Sequence, residues 1–363
     1  MPKTRITEID NYSDFLALEE RWHDVLQRCT HNVFSTWEWL STWWKHFGDD
    51  KRLVLLIAEE NDKILGIAPL MYSVHKMFGL RIGKIQFIGT PHSDYNDFIT
   101  AEKSEECIKL FIDYLYNLPE KWDCIELTDI PENARCLPFL SKISKNLKPV
   151  HKCPCVSLPK SYQTFLKSLS SNKRRQIRKG IRKLEKAFKV EFADYSGLQS
   201  FAEGMRWLFE LHHKRWKSKG FTGAFADPKF RDFNLDIAKS FSQKKWLGLY
   251  ILNLSGEPAA ADYGFKYRSK YYAYIPGFDP RYYRYSVGNM LRAYMIRKFI
   301  QEGLVEFDFM RGAEEYKDRW NAIARWNRQA VLTRRGFLAN VRHWLHNEYW
   351  HQGNRFKYLL KTK

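Results

Sequence analysis

Several residues in this chain combine types and spacings that could hold an anion or work on a carbonyl group. Ser286-Val287-Gly288-Asn289 opens a stretch with helical apolar spacing. A helix N-terminus presents unpaired N–H groups and the positive end of the dipole. Gly288 lets a ligand approach the backbone, and Arg281 and Arg284 stand just before it, placed to pair with phosphate. The pattern suits a diphosphate, or else an ordinary serine-capped helix. Asp308 alternates with Phe307 and Phe309 in an extended stretch. Its carboxylate would then face a cleft, as a base or to orient an amine; a strand-end aspartate bonded to its loop is the alternative. Asp262 lies among alanine and glycine in a return strand, which suits either access to a cleft or pairing with a nearby arginine. His212 shares a helix face with Trp216, four residues on. It can be a neutral base near pH 7 or a hydrogen-bonded core histidine. Asp279, before Pro280, reads as an Asx turn.

These groups need elements to position them. Leu247 to Leu254 reads as a strand, Ser255-Gly256 as a turn and Pro258 to Phe265 as the return strand. Tyr271 to Ile275 is a third strand, followed by a loop over Pro276-Gly277-Phe278-Asp279-Pro280. A helix spans Val287 to Glu302 with Gly303 as its terminator, and a last strand runs from Leu304 to Met310. The same order occurs earlier. Leu53 to Ala58, an Asn61-Asp62 turn, Ile64 to Leu70, Ile85 to Ile88, a helix over Glu105 to Leu118 and a strand from Cys124 to Leu127 follow a helix capped by Ser35 or Thr36. The repeat is one of element order and points to tandem α/β domains.

Between the halves, Ser170-Ser171-Asn172 offers an N-cap to a strongly basic helix. Ile177, Ile181, Leu184 and Phe188 form its apolar stripe. Eight of the fourteen residues from Lys173 to Lys186 are Lys or Arg. Arg174, Arg175 and Arg178 would meet an anionic acceptor, RNA or a membrane surface, unless the face is simply solvated.

The chain has 363 residues, a net charge of +19 and 44% hydrophobic content. That length suits two domains, and that composition excludes global disorder. No run approaches the ~20 apolar residues needed to span a bilayer, and no signal peptide opens the chain, so a cytoplasmic location is expected. All six cysteines fall in the first half. Packed thiols are expected, with no metal site, although Cys153-Pro154-Cys155 beside His151 leaves one open. Residues 331–363 mix aromatic and basic side chains. They read as a tail for peripheral contact with the inner membrane, or as a packed terminal helix.

Several ordered stretches carry a family resemblance over roughly residues 15 to 325. They are Phe34-Ser35-Thr36-Trp37-Glu38-Trp39, Ile67-Ala68-Pro69-Leu70, Asn172 to Arg178, and Leu211-His212-His213-Lys214-Arg215-Trp216 with Gly220 and Gly223. Tyr274 to Asp279, Ser286-Val287-Gly288, Phe307 to Gly312 and Glu314 to Trp320 complete the set. The chain resembles the acetyltransferase family that includes the cellulose-biosynthesis protein CelD and, more distantly, the Fem aminoacyltransferases. This resemblance implies an α/β fold of two tandem GNAT domains, each a mixed, mainly antiparallel sheet flanked by helices. Residues 1–155 would be a degenerate domain and 156–330 the acyltransferase. It implies transfer from acetyl-CoA or another acyl-CoA to an amine or hydroxyl, with an amino sugar or other glycan acceptor in polysaccharide biosynthesis. In the Fem branch the donor would be aminoacyl-tRNA. By the same resemblance, Lys317 would stabilise charge on the carbonyl oxygen or on phosphate, and Tyr316 would protonate the leaving thiolate. A non-catalytic binding module in polysaccharide machinery is the reading from a different class.

Overall fold

The computed structural model describes residues 4–334 apart from 78, 79, 120 and 145. In chain order the elements are β1 Arg5–Ile9, α1 Tyr12–Ala17, α2 Glu19–Gln27, α3 Trp37–Phe47, β2 Arg52–Glu60, β3 Lys63–Met77, β4 Leu80–Phe87, β5 Ile99–Thr100, α4 Ser104–Tyr116, β6 Cys124–Ile130, α5 Leu137–Ile143 and β7 Lys148–Ser157. There follow α6 Tyr162–Ser168, α7 Ser171–Ala187, β8 Val190–Asp194, α8 Phe201–Lys217, α9 Pro228–Gln243, β9 Leu247–Leu254, β10 Glu257–Tyr267, β11 Lys270–Phe278, α10 Val287–Gln301, β12 Glu306–Asp308, α11 Glu315–Asp318 and β13 Ile323–Thr333.

The chain divides into two units: residues up to His151 together with those from Trp326 onward, and Lys152–Arg325. In the first unit the strand order is β1-β2-β3-β4-β6-β13, with β5 against β3. Only the β4–β6 pair is parallel. Thr36 caps α3 by accepting from the Trp39 N–H. Asn61 and Asp62 both take positive φ in the two-residue turn between β2 and β3, the geometry that matches strand twist. One face of this sheet packs under α4, with Ile108, Phe111 and Leu115 against Val54, Leu56, Ile85 and Leu127.

In the second unit the order is β7-β12-β11-β10-β9-β8, with only β11–β12 parallel. Tyr250, Leu252 and Leu254 of β9 join α6, α7 and α10 in one core. The intervening Leu249 meets Gly204, where an added Cβ would lie 2.6 Å from its methyl group, so α8 covers the opposite face. The α10 helix ends as expected: Gly303 has φ of 81°, and the Leu304 N–H returns to the Phe299 carbonyl at 2.9 Å.

Three sequence expectations change. β11 continues through Pro276, Gly277 and Phe278, where a loop was expected. Proline has no N–H for a neighbour on that side, and β12 has already left β11 at Tyr272. The last strand is confined to Glu306–Asp308. The boundary at 155/156 falls inside β7, and the strand after residue 325 belongs to the first unit, because β13 pairs with β6. The 331–363 tail lies outside the described residues from 335 onward.

Candidate active site

Two features of the second unit make its site: an open helix end, and a splay between strands. The helix end is that of α10. Ser286 sits at φ 52° and makes no side-chain cap. The first α10 donors are Asn289 and Met290, both to the Ser286 carbonyl. The Val287 and Gly288 N–H groups therefore have no partner among the described residues. A Cβ built on Gly288 meets nothing within 4 Å. Lys173 of α7 stands beside this turn. It is 5% exposed, 3.5 Å from Asn289 Oδ1 and 4.0 Å above the Trp320 ring. Burial, and then the charges of Arg292 and Arg319, lower its pKa to about 8.

The splay begins where β12 leaves β11. Their pairing covers Lys270–Tyr272 against Glu306–Asp308 and then stops. Pairing of β11 with β10 skips Tyr274, a β-bulge that bends the strand just beyond the splay. Asp262 of β10, 2% exposed, accepts from the Tyr271 hydroxyl at 2.8 Å. Burial outweighs that bond and the nearby Arg292 and Arg215, and raises its pKa to about 6. Arg292 lies one turn after Gly288, with its guanidinium 4.5 Å from the Tyr316 ring; Nη2 donates to Tyr316 Oη at 3.4 Å. From α8, Arg215 donates to the Pro276 carbonyl at 3.3 Å and feels the charges of Tyr316, Arg292, Glu314 and Asp262.

Lys317 is adjacent and fully buried. Its Nζ donates to the carbonyls of Met310, Arg311 and Gly312 at 3.3, 2.9 and 3.4 Å and pairs with Glu314 at 2.9 Å. This geometry makes it a brace for the turn after β12. Gly312, at φ 133°, leaves room for that brace.

The other sequence candidates are placed elsewhere. His212 sits in an aromatic cage, with ring centroids 4.8 Å from Phe225 and 6.0 Å from Trp216. Burial pushes its pKa down to about 3, so the imidazole stays neutral and resists taking a proton. Asp308 accepts from the Met310 N–H at 2.8 Å within the turn. Arg281 is paired with Asp279 at 3.0 Å and Glu257 at 3.1 Å. Arg284 stacks on Tyr285 and donates to its hydroxyl at 3.0 Å. Arg174 closes the end of α6 by donating to the Lys167 and Leu169 carbonyls at 3.0 and 2.5 Å. Arg175 and Arg178 are exposed on α7. All six cysteines are buried thiols, with Cys155 donating to the Ile323 carbonyl. In the first unit Glu19, His23 and Glu38 are close enough together to hold a metal ion, and His23 already pairs with Glu38 at 3.0 Å.

The sequence reading passed over Lys173 and Arg292 as site residues. A signal existed for both. Lys173 extends the Ile177, Ile181, Leu184 stripe by one turn, and Arg292 lies on the buried side of α10 among Met290, Leu291, Met295 and Ile296. A cation on an apolar stripe demands a partner.

Residues 171–318 match the family described as the acetyltransferase (GNAT) domain. That span contains Lys173, Arg215, Asp262, Gly288, Arg292, Tyr316 and Lys317, and stops short of Trp320. The chain is an acyltransferase. No curated protein matches it. Among solved structures, FemX resembles it with a TM-score of 0.59 and 12% identity, over 90% of this chain and 97% of that one. L-PGS from Bacillus licheniformis resembles it with a TM-score of 0.58 and 12% identity, over 92% and 96%. At that identity the likeness concerns the fold alone, a mixed α/β sheet flanked by helices, with the GNAT domain matched over residues 171–318. Among the described residues no helix is long and apolar enough to cross a membrane.

Proposed function

We propose that the second unit transfers an acyl group from acyl-CoA to an amine or hydroxyl, with a CelD-like role on an amino sugar or surface polysaccharide. The observation that carries this reading is the uncapped start of α10 with Lys173 buried beside it. Two free N–H groups, a helix dipole and a desolvated ammonium fit a diphosphate. The thioester supplies an activated carbonyl. Asp262 takes the proton from the attacking amine, with a pKa suited to a base near neutral pH. Tyr316 gives its hydroxyl proton to the departing thiolate, and Arg292 steadies the phenolate that results. Lys317 holds the turn that presents Tyr316. Calorimetry with acetyl-CoA and longer acyl-CoAs tests the reading. Wild-type binding that disappears in Gly288→Trp is expected; no binding, or equal binding in the variant, refutes it.

A second reading has its own observation. The apolar stripe of α7 is packed into the core, while Arg175, Arg178, Lys179, Arg182, Lys183 and Lys186 are exposed. This face suits a phosphate backbone better than a bilayer, because no apolar side is left to insert. It favours the Fem-like alternative, with aminoacyl-tRNA as donor. A tRNA gel shift that weakens with salt and is lost on charge reversal of Arg175, Arg178 and Arg182 would support it. Absence of a shift at low salt removes it.

A further inference from the structure

Two arginines in the splay lack the counter-charge that their surroundings call for. Arg292 is 7% exposed, and its two hydrogen bonds, to the Gly288 carbonyl and Tyr316 Oη, are both 3.4 Å long. Its Nε is buried without a partner. Half-buried Arg215 makes one bond, at 3.3 Å to the Pro276 carbonyl, and its Nε is likewise buried and unpartnered. Neither guanidinium has an ion-pair partner among the described residues. Asp262 interacts with both through space but lies beyond ion-pair distance of either. Glu314, the other nearby acid, is held by Lys317. Burial, and with it the charge of Arg292, disfavours the charged form of Arg215.

Buried guanidiniums without counter-ions are costly, and a planar oxyanion that accepts from both forks removes the cost. Phe278 stands 5.4 Å from the Arg215 guanidinium, and Phe309 stands 5.9 Å from that of Arg292. Aromatic rings thus flank the two forks and favour a flat group. The Arg292 fork reaches back to the Gly288 carbonyl at 3.4 Å, and helical carbonyls point away from the N-terminus, so this place adjoins the helix end assigned to diphosphate on its C-terminal side.

We infer that Arg215 and Arg292 together form a carboxylate-binding slot, and that one of the two substrates carries a free carboxylate close to the reacting carbonyl. The inference rests on the acyl-CoA reading above. The carboxylate belongs either to the acceptor, as in an amino acid, or to the far end of a dicarboxylic acyl chain.

The test has two arms. In the first, acetyl-CoA is offered with a panel of free amino acids and, separately, with their carboxamides. In the second, succinyl-CoA is compared with butyryl-CoA on an amine that has no carboxylate. Thiol release gives kcat and KM, and calorimetry gives the Kd for CoA itself. In one arm the carboxylated compound should have a KM lower by roughly 10- to 100-fold, the range for charge-assisted hydrogen bonds. The responding arm names the source. Arg215→Lys and Arg292→Lys keep the charge but lose the fork, and should each shrink that preference towards unity. If CoA binds and neither arm prefers the carboxylate, or if the lysine variants keep the full preference, the slot is refuted while the acyl-CoA reading stands. If CoA itself does not bind, that reading fails and the slot fails with it.

Discussion

Replacing Lys173 by methionine should make the folded protein more stable and the donor bind less well. The ammonium is buried, and its pKa is lowered from 10.5 to about 8. Below pH 8 the amine is protonated in both folded and unfolded chains, so the folded state carries the full cost of the buried charge. Between pH 8 and 10.5 the folded protein releases the proton while the unfolded chain keeps it, and stability rises with pH. At about 1.36 kcal/mol per pH unit, the cost is roughly 3 kcal/mol at pH 7 and falls below about 1 kcal/mol by pH 10. The variant escapes this cost but loses the cation over the Trp320 ring, worth about 1–2 kcal/mol. Lys173→Met should therefore be about 1–2 kcal/mol more stable than wild type at pH 7, and within about 1 kcal/mol of it at pH 10, where the folded amine is already neutral and the ring contact holds no cation. Urea denaturation of both proteins at each pH cancels the other titrating groups from the comparison. In calorimetry the same variant should bind acyl-CoA at least 10-fold more weakly, from the loss of one charge-assisted phosphate contact. A variant destabilised equally at both pH values, with unchanged affinity, would refute the assignment of Lys173 as a strained donor-site cation.

Asp262→Asn should lower kcat by roughly 10²- to 10⁴-fold. Because burial holds the Asp262 pKa near 6 and a base must be ionised, wild-type activity should rise with pH through about 6, and the residual activity of the variant should lack that limb. Gly312→Ala puts a Cβ 2.7 Å from Lys317 Nζ at a φ of 133°; a loss of about 2 kcal/mol or more in chemical denaturation is expected. Arg174→Ala should cost about 1–2 kcal/mol of stability by uncapping α6 and leave tRNA and acyl-CoA binding as in wild type; a lost gel shift would return Arg174 to the exposed anion-binding face.

What the sequence revealed depended on how local each rule was. Thr36, Asn61-Asp62, Ser255-Gly256 and Gly303 were legible because a cap or a turn is decided by a few neighbouring residues. The extension of β11 through Pro276 was not, since a proline reads as a turn unless the partner strand is known to have left. Asp262 stood out as a candidate from its small neighbours, but Arg215 and Arg292 were not assigned to it, because α8 and α10 approach the splay from opposite faces of the sheet. Resemblance pointed to Tyr316 and Lys317 together. It could not show that the Lys317 ammonium is surrounded by three carbonyls of its own turn.

The exchange of final strands sets a timetable for synthesis. On the first unit, β6 has β4 on one side and awaits β13 on the other, so its edge stays bare until the ribosome has made the chain through Thr333. An uncovered edge of this kind invites pairing with other chains. Truncation at residue 155 would make the bare edge permanent. A clone meant to isolate the first half should therefore aggregate, and the shortest version that completes the first sheet must reach Thr333.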